Sequence, residues 1–138
     1  MDMEVVVVAD PDEKDLELIE QGVLDYGISE VGGKLPRKWA FHITDNGELL
    51  GGATGRDHLS QFYLDNIWVV EERRLKGLGG RIHEEVVACA EKCGCRRILL
   101  STLNKRAVKF YRKLGYEKIA EIDDYVSGFD LFFMVKMI

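Results

Sequence analysis

The sequence predicts an α+β domain: a mixed, mostly antiparallel twisted sheet with helices on both faces. Three observations predict it. Two alternating runs flank Asp45-Asn46-Gly47, a hairpin turn signal. From Phe62 to Ile122 the periodicity switches strand, helix, strand, helix, strand, which calls for a sheet with helices packed on it. The 138 residues are 46% apolar and 31% charged, the composition and size of one globular domain spanning 1–138.

The elements follow in order. The Val5–Val8 run lies within residues 4–9, which read as a buried strand. Asp10 stands as N-cap, Pro11 at the first helical position, and Asp12 and Glu13 in the first turn. Leu16, Ile19, Val23 and Leu24 form the buried stripe of a helix ending near Gly27. Gly32 to Pro36 is loop, Trp39 to Thr44 a strand, and Leu49 to Gly55 its hairpin partner. The Gly51-Gly52 pair marks a bulge or a close backbone approach. Phe62 to Val70 is a central strand and Gly77 to Cys93 a helix. Arg97 to Thr102 is a buried strand, and Lys105 to Leu114 a helix with Val108, Tyr111 and Leu114 in its stripe. Glu117 to Ile122 is a strand, Asp123 to Asp130 an acidic loop, and Leu131 to Ile138 the final strand.

Charge is unevenly spread. The net charge is −5, yet Arg73 to Lys118 holds thirteen basic residues against four acidic ones. That segment suits an anion, and the acidic remainder would repel a nucleic acid while attracting a cation. A compact phosphorylated ligand fits better than a polyanion. No stretch approaches the roughly 20 apolar residues of a membrane helix, and the N-terminus lacks a basic export region. Cys89, Cys93 and Cys95 are an odd count without an export signal, which places reduced thiols in a cytoplasm. Three clustered thiols fall short of the usual four metal ligands, so no metal is expected. They read instead as a packed helix face and the flanks of a Gly94 helix stop.

The sharpest feature is Arg74-Leu75-Lys76-Gly77-Leu78-Gly79-Gly80 between a strand and a helix. Glycines let the backbone turn and approach a ligand, and free N–H groups at a helix N-terminus favour an anion. Neither a Walker A loop nor a dinucleotide loop fits, since Arg81-Ile82 follows Gly80. A plain glycine turn remains the alternative for the loop alone.

Arg-x-x-Gly-x-Gly after a strand ending Val69-Val70 resembles the acetyl-CoA signature of the GNAT superfamily of N-acetyltransferases. Asn104 to Tyr116, with Ala107, Phe110-Tyr111 and Gly115-Tyr116, resembles that family's second motif, and the two occur in the right order. The resemblance is strong over residues 62–122 and holds in outline before them. It implies that acetyl-CoA is a co-substrate. Trp68, Val69 and Val70 would pair with the pantetheine arm, the Val69 N–H polarising the thioester carbonyl. Arg74, Leu75, Lys76, Gly77, Leu78, Gly79 and Gly80 would cradle the pyrophosphate. Asn104 would hydrogen-bond the pantetheine side, and Tyr111 would protonate the departing thiolate. Leu75 departs from the pattern, standing where many members have glycine.

Read from its stripe alone, Tyr111 is more often core than catalyst, and the motif context reverses that reading. A base is also needed, since only roughly one alkylamine in a thousand is neutral at pH 7. Asp65, mid-strand in an apolar run, is the candidate; a hydrogen-bonded Asp–Asn pair at a bulge is the structural alternative, and Glu71 or Glu72 acting through water the catalytic one. His42, His58 and His83 show no recognisable partner, and His58 beside Asp57 is the one expected nearest the acceptor.

The expected activity is transfer of acetyl from acetyl-CoA to a primary amine by direct attack, without a cysteine intermediate. The acidic remainder, including Asp25, Glu30, Asp123, Asp124 and Asp130, suggests a cationic small-molecule or peptide amine as partner, on a monomer or homodimer. Two alternatives stand beside it: a non-catalytic acyl-CoA sensor, and an interaction module using the last strand as an open edge.

Overall fold

The computed structural model describes residues 2–28 and 34–138, which fall into two compact units, Met1–Leu35 and Pro36–Ile138. In the first unit, helix α1 spans Glu13–Val23 and continues as a π-helical turn, Leu24–Ile28. It starts two residues later than the sequence suggests. Asp10 adopts φ 49° rather than the extended geometry of an N-cap, and Asp12, at φ −63° and ψ 144°, becomes the N-cap without a side-chain capping bond. The Val5–Val8 run is not a strand: its side chains are exposed and it joins no ladder among the described residues. Four β-branched residues carry β propensity, but propensity supplies no pairing partner. The stripe of α1 is likewise exposed at Leu16, Ile19 and Val23, with Leu24 buried. The expected loop residues Gly32 and Gly33, and Glu30, lie outside the described residues.

The second unit is a six-stranded mixed sheet. Its strands are β1 (Arg37–Asp45), β2 (Glu48–His58), β3 (Gln61–Val69), β4 (Arg97–Thr102), β5 (Glu117–Val126) and β6 (Phe129–Met137), in the order β1-β2-β3-β4-β6-β5. Only β3 and β4 pair in parallel; the other four pairings are antiparallel. Helix α2 (Leu78–Lys92) makes the crossover between β3 and β4, and α3 (Lys105–Lys113) connects β4 to β5. The Asn46-Gly47 turn has both residues at positive φ, as a two-residue hairpin requires.

Both α2 and α3 pack on one face. Ile82, Val86 and Ala90 from α2 and Val108 and Tyr111 from α3 share a core with Phe62, Ile98 and Met134. The last strand is not an edge: β6 lies between β4 and β5, so the open-edge module reading fails on topology. The acidic segment expected as a loop is mostly strand, because β5 runs on to Val126 through a register shift and a tight turn starts β6 at Phe129.

Two irregularities shape the sheet near its centre. Parallel pairing of β3 with β4 covers only Gln61–Tyr63 against Arg97–Leu99, and the strands part beyond it. Between Thr54 and Gly55 the β2–β3 register shifts, leaving Asp65 as the extra residue of a bulge.

Candidate active site

The gap between β3 and β4 is the centre of the site. The Val70 N–H donates to the Leu50 carbonyl on β2 at 2.8 Å. Alternation along the strand turns the Ile67 and Val69 N–H groups to the other side, towards β4, where no ladder partner faces them. The Val69 carbonyl on that side accepts from Arg74 Nε at 2.9 Å, so this arginine ties the Gly loop back to the strand.

Gly51 and Gly52 let β2 lie close against its neighbours. A Cβ on Gly51 would fall 2.5 Å from the Trp68 carbonyl oxygen, and one on Gly52 would strike the Phe41 carbonyl. This is the close backbone approach expected from the pair.

The loop itself turns at Leu75, φ 62°, and Gly77, φ 80°. Leu75 holds this conformation while fully exposed, at a position where a glycine would meet no steric cost. Gly77 is the N-cap of α2, and no side chain caps the helix. The intrahelical ladder begins with Arg81 N–H to the Gly77 carbonyl at 3.1 Å, so the Leu78, Gly79 and Gly80 N–H groups are free of it. A cavity of about 410 Å³ brings together Ile67, Trp68 and Val69, the loop from Arg73 to Gly80, and Phe110 from α3. Gly79 leaves room for Phe110, whose ring would lie 3.2 Å from an added Cβ.

The second motif is split. Tyr111 is buried in the core, edge-on to Phe110 and Tyr116, with ring centroids 5.2 and 5.3 Å away, and it is Phe110 that lines the cavity. Burial pushes the Tyr111 hydroxyl up to about 12, so it is protonated at any physiological pH. Asn104 is the N-cap of α3: its side-chain oxygen accepts from the Arg106 N–H at 2.8 Å, leaving its NH₂ group outward. It borders a different cavity, with Lys105, Arg106, Phe129 and Asp130.

Asp65 is not a carboxylate buried in an apolar strand. Alternation from buried Phe62 and Leu64 turns it outward, its side chain is 40% exposed, and its Oδ2 pairs with Arg56 Nε at 3.3 Å. Asn66 beside it takes Thr54 Oγ1 as acceptor at 2.8 Å rather than pairing with Asp65.

Sequence reasoning missed several residues. Arg56 lies on β2, stacked 4.5 Å over the Tyr63 ring, and with Asp65 and Ser101 it borders a cavity of about 340 Å³ on the face away from α2 and α3. His83 has a partner after all: it is 3% exposed, and its Nε2 lies 2.7 Å from the Tyr116 hydroxyl. Burial, with the Lys136 charge nearby, lowers His83 to about 4, so it is neutral. Its spacing to Tyr116 spans two helices and gives no local signal. His58 does not border the cavity at Asp65. Burial raises Cys89 and Cys95 to about 11, which leaves them protonated and poor nucleophiles. Gly94 at φ 75° ends α2 between Cys93 and Cys95, as expected.

A strand that parts from its parallel neighbour, beside a glycine loop with free N–H groups, is the architecture of an acyl-CoA N-acyltransferase. The chain belongs to the GNAT acetyltransferase family, whose model matches residues 10–116. It is 34% identical over 93 residues to blasticidin-S acetyltransferase of Streptomyces morookaense, covering 67% of this chain and 68% of that one. It is 34% identical over 76 residues to thialysine N-epsilon-acetyltransferase of Mus musculus, where the match spans 54% of this chain and 42% of the relative. An acetyltransferase structure from Bacillus cereus superposes with a TM-score of 0.80 at 27% identity, over 96% of this chain and 98% of that one. A Bacillus anthracis protein solved with acetyl coenzyme A shares the fold, with a TM-score of 0.67 at 19% identity over 75% and 64% of the two chains. Among the described residues no helix is long and apolar enough to cross a membrane.

Proposed function

We propose that the chain works as one N-acetyltransferase domain, moving an acetyl group from acetyl-CoA to a primary amine by direct attack in a ternary complex. The observation that carries this reading is the single cavity that gathers the Val69 strand and the Gly loop. Its donors fit the cofactor: three free N–H groups and Arg74 for a pyrophosphate, and strand N–H groups at Ile67 and Val69 for amide and thioester carbonyls. Acetyl-CoA supplies the activated acetyl group; the protein orients it and manages protons.

In this reading Trp68, Val69 and Val70 align the pantetheine arm, with Asn104 donating from its free NH₂ group, and Arg74 to Gly80 hold the pyrophosphate. The Val69 N–H stabilises the oxyanion as the amine nitrogen bonds to the carbonyl carbon. Asp65 takes the proton that the amine must lose, and Tyr111 gives one to the thiolate as the C–S bond breaks. The matched relatives act on blasticidin-S and thialysine, which supports an amine of low molecular weight as acceptor. The acidic balance outside Arg73–Lys118 favours one carrying positive charge.

Thermal unfolding with acetyl-CoA, beside adenosine monophosphate as control, tests the cofactor. At 100 times its dissociation constant a ligand stabilises by about 2.7 kcal/mol, a shift of several degrees. Thiol release across an amine library then tests transfer. Tyr111→Phe separates the enzyme from a passive acyl-CoA sensor: turnover falls at least about tenfold with acetyl-CoA affinity kept. No thermal shift at saturating acetyl-CoA would remove the enzyme reading.

A further inference from the structure

The cavity at the bulge has a charge pattern that its neighbour on the Gly loop lacks. Arg56 and Asp65 face each other across β2 and β3, and their contact uses only Nε and Oδ2. Both terminal NH₂ groups of the guanidinium and the second carboxylate oxygen remain for a ligand, and the fork of an arginine matches a carboxylate. Leu99, Ile119 and Phe133 supply apolar walls around this pair. Side chains of Leu99 and Ser101 alternate with buried Ile98 and Leu100, so the cavity opens on the face away from α2 and α3. Ile67, which borders the Gly-loop cavity, is two residues along β3 from Asp65, about 7 Å away. An amine held at Asp65 therefore sits next to the gap through which an acetyl group on the other side would be reached.

We propose that the acceptor is a free α-amino acid with an apolar side chain, its ammonium on Asp65, its carboxylate on Arg56 and its side chain against Leu99, Ile119 and Phe133. This rests on the acetyltransferase reading above and narrows it. Because the two protein charges are 3.3 Å apart, the two ligand charges must also be close, which an α-amino acid satisfies and a peptide N-terminus does not. Transfer forms the N–C bond at the α-amine and breaks the C–S bond; Asp65 takes the amine proton and the sulfur leaves as thiol with a proton from Tyr111. A tolerant surface ion pair would show none of this selectivity.

Acetyl transfer is measured by thiol release with leucine, its amide, and isoamylamine, which lacks the carboxylate. The expected kcat/KM for leucine exceeds that for the other two by about tenfold or more, because only leucine gives the Arg56 guanidinium a charge-assisted, two-point contact. In Arg56→Gln that ratio collapses to about one, while the acetyl-CoA thermal shift persists and shows that the variant folds. Equal turnover of all three acceptors, or a ratio unchanged in Arg56→Gln, overturns the proposal and leaves the acetyltransferase reading standing. Absence of both thiol release and an acetyl-CoA shift would overturn the two together.

Discussion

His83 makes the fold acid-sensitive in a defined window. It is 3% exposed, its Nε2 bonds the Tyr116 hydroxyl, and burial, then the charge of Lys136, lowers it from 6.5 to about 4. A lowered pKa means that the unfolded chain binds the proton first. The neutral imidazole's stabilising effect is therefore complete above pH 6.5 and is lost as pH falls towards 4. The slope is about 1.4 kcal/mol per pH unit inside that window, so moving from pH 7 to pH 5 removes about 2 kcal/mol. Urea unfolding followed by tryptophan fluorescence reads this well, since Trp39 and Trp68 both lie in the same unit as His83. With a slope of about 1–3 kcal/mol per molar, the midpoint should drop by roughly 1 M. His83→Gln keeps a polar group at the site and removes the titration, so its midpoint should fall by clearly less over the same range. If the variant and the parent lose the same amount between pH 7 and pH 5, His83 is not the group responsible and its burial is not what the geometry says.

Other perturbations test the site piece by piece. Gly51→Ala pushes a Cβ to 2.5 Å from the Trp68 carbonyl and 3.1 Å from Val69 Cα, so β3 must shift. Overpacking of this kind costs about 1–3 kcal/mol, and calorimetry should show acetyl-CoA affinity reduced about tenfold. Asn104→Ala removes the α3 cap and should cost about 1 kcal/mol in urea unfolding, whereas Asn104→Asp keeps the cap and loses only the NH₂ donor. If Asn104→Asp binds acetyl-CoA as well as the parent, the side chain is a cap and nothing more. Cys89 and Cys95, at about 11, should react slowly with a maleimide at pH 8, with rates rising about tenfold per pH unit towards 11. Fast labelling of both at pH 8 in the native protein would contradict their burial.

What the sequence announced was local. The Asn46-Gly47 hairpin, the Gly77 start of α2 and the Gly94 stop each depend on a positive φ that a short stretch of chain declares by itself. Pairing is different. The Val5–Val8 run looks like a strand because its residues suit one, and nothing in those residues reports the missing neighbour. The place of β6 inside the sheet, the bulge at Asp65 and its ion pair with Arg56 all depend on register between segments that a sequence reads separately. His83 and Tyr116 meet only because α2 and α3 pack on the same face, so a polar pair in the core was invisible.

The single residue Asp65 ties these strands of reasoning together. From Phe62, strict alternation would send 62, 64, 66 and 68 inward and bury Trp68. The bulge inserts one position, so Ile67 and Val69 pack towards the helices while Asn66 and Trp68 are exposed. A one-residue slip exchanges every side chain and every N–H along the rest of a strand. Without the bulge, the Val69 N–H would be spent in the ladder with β2 and could not face the gap opposite β4. Asp65 faces outward by alternation from Phe62 and Leu64, beside Arg56, and the insertion sets Asn66 on that same exposed side. The opening that presents strand N–H groups thus follows from the extra residue where β3 leaves β4, while the charged pair beside it keeps the outward place that alternation gives Asp65. Both cavities thus lie along one strand, and the carboxylate in its apolar run stands on the exposed side of the pleat.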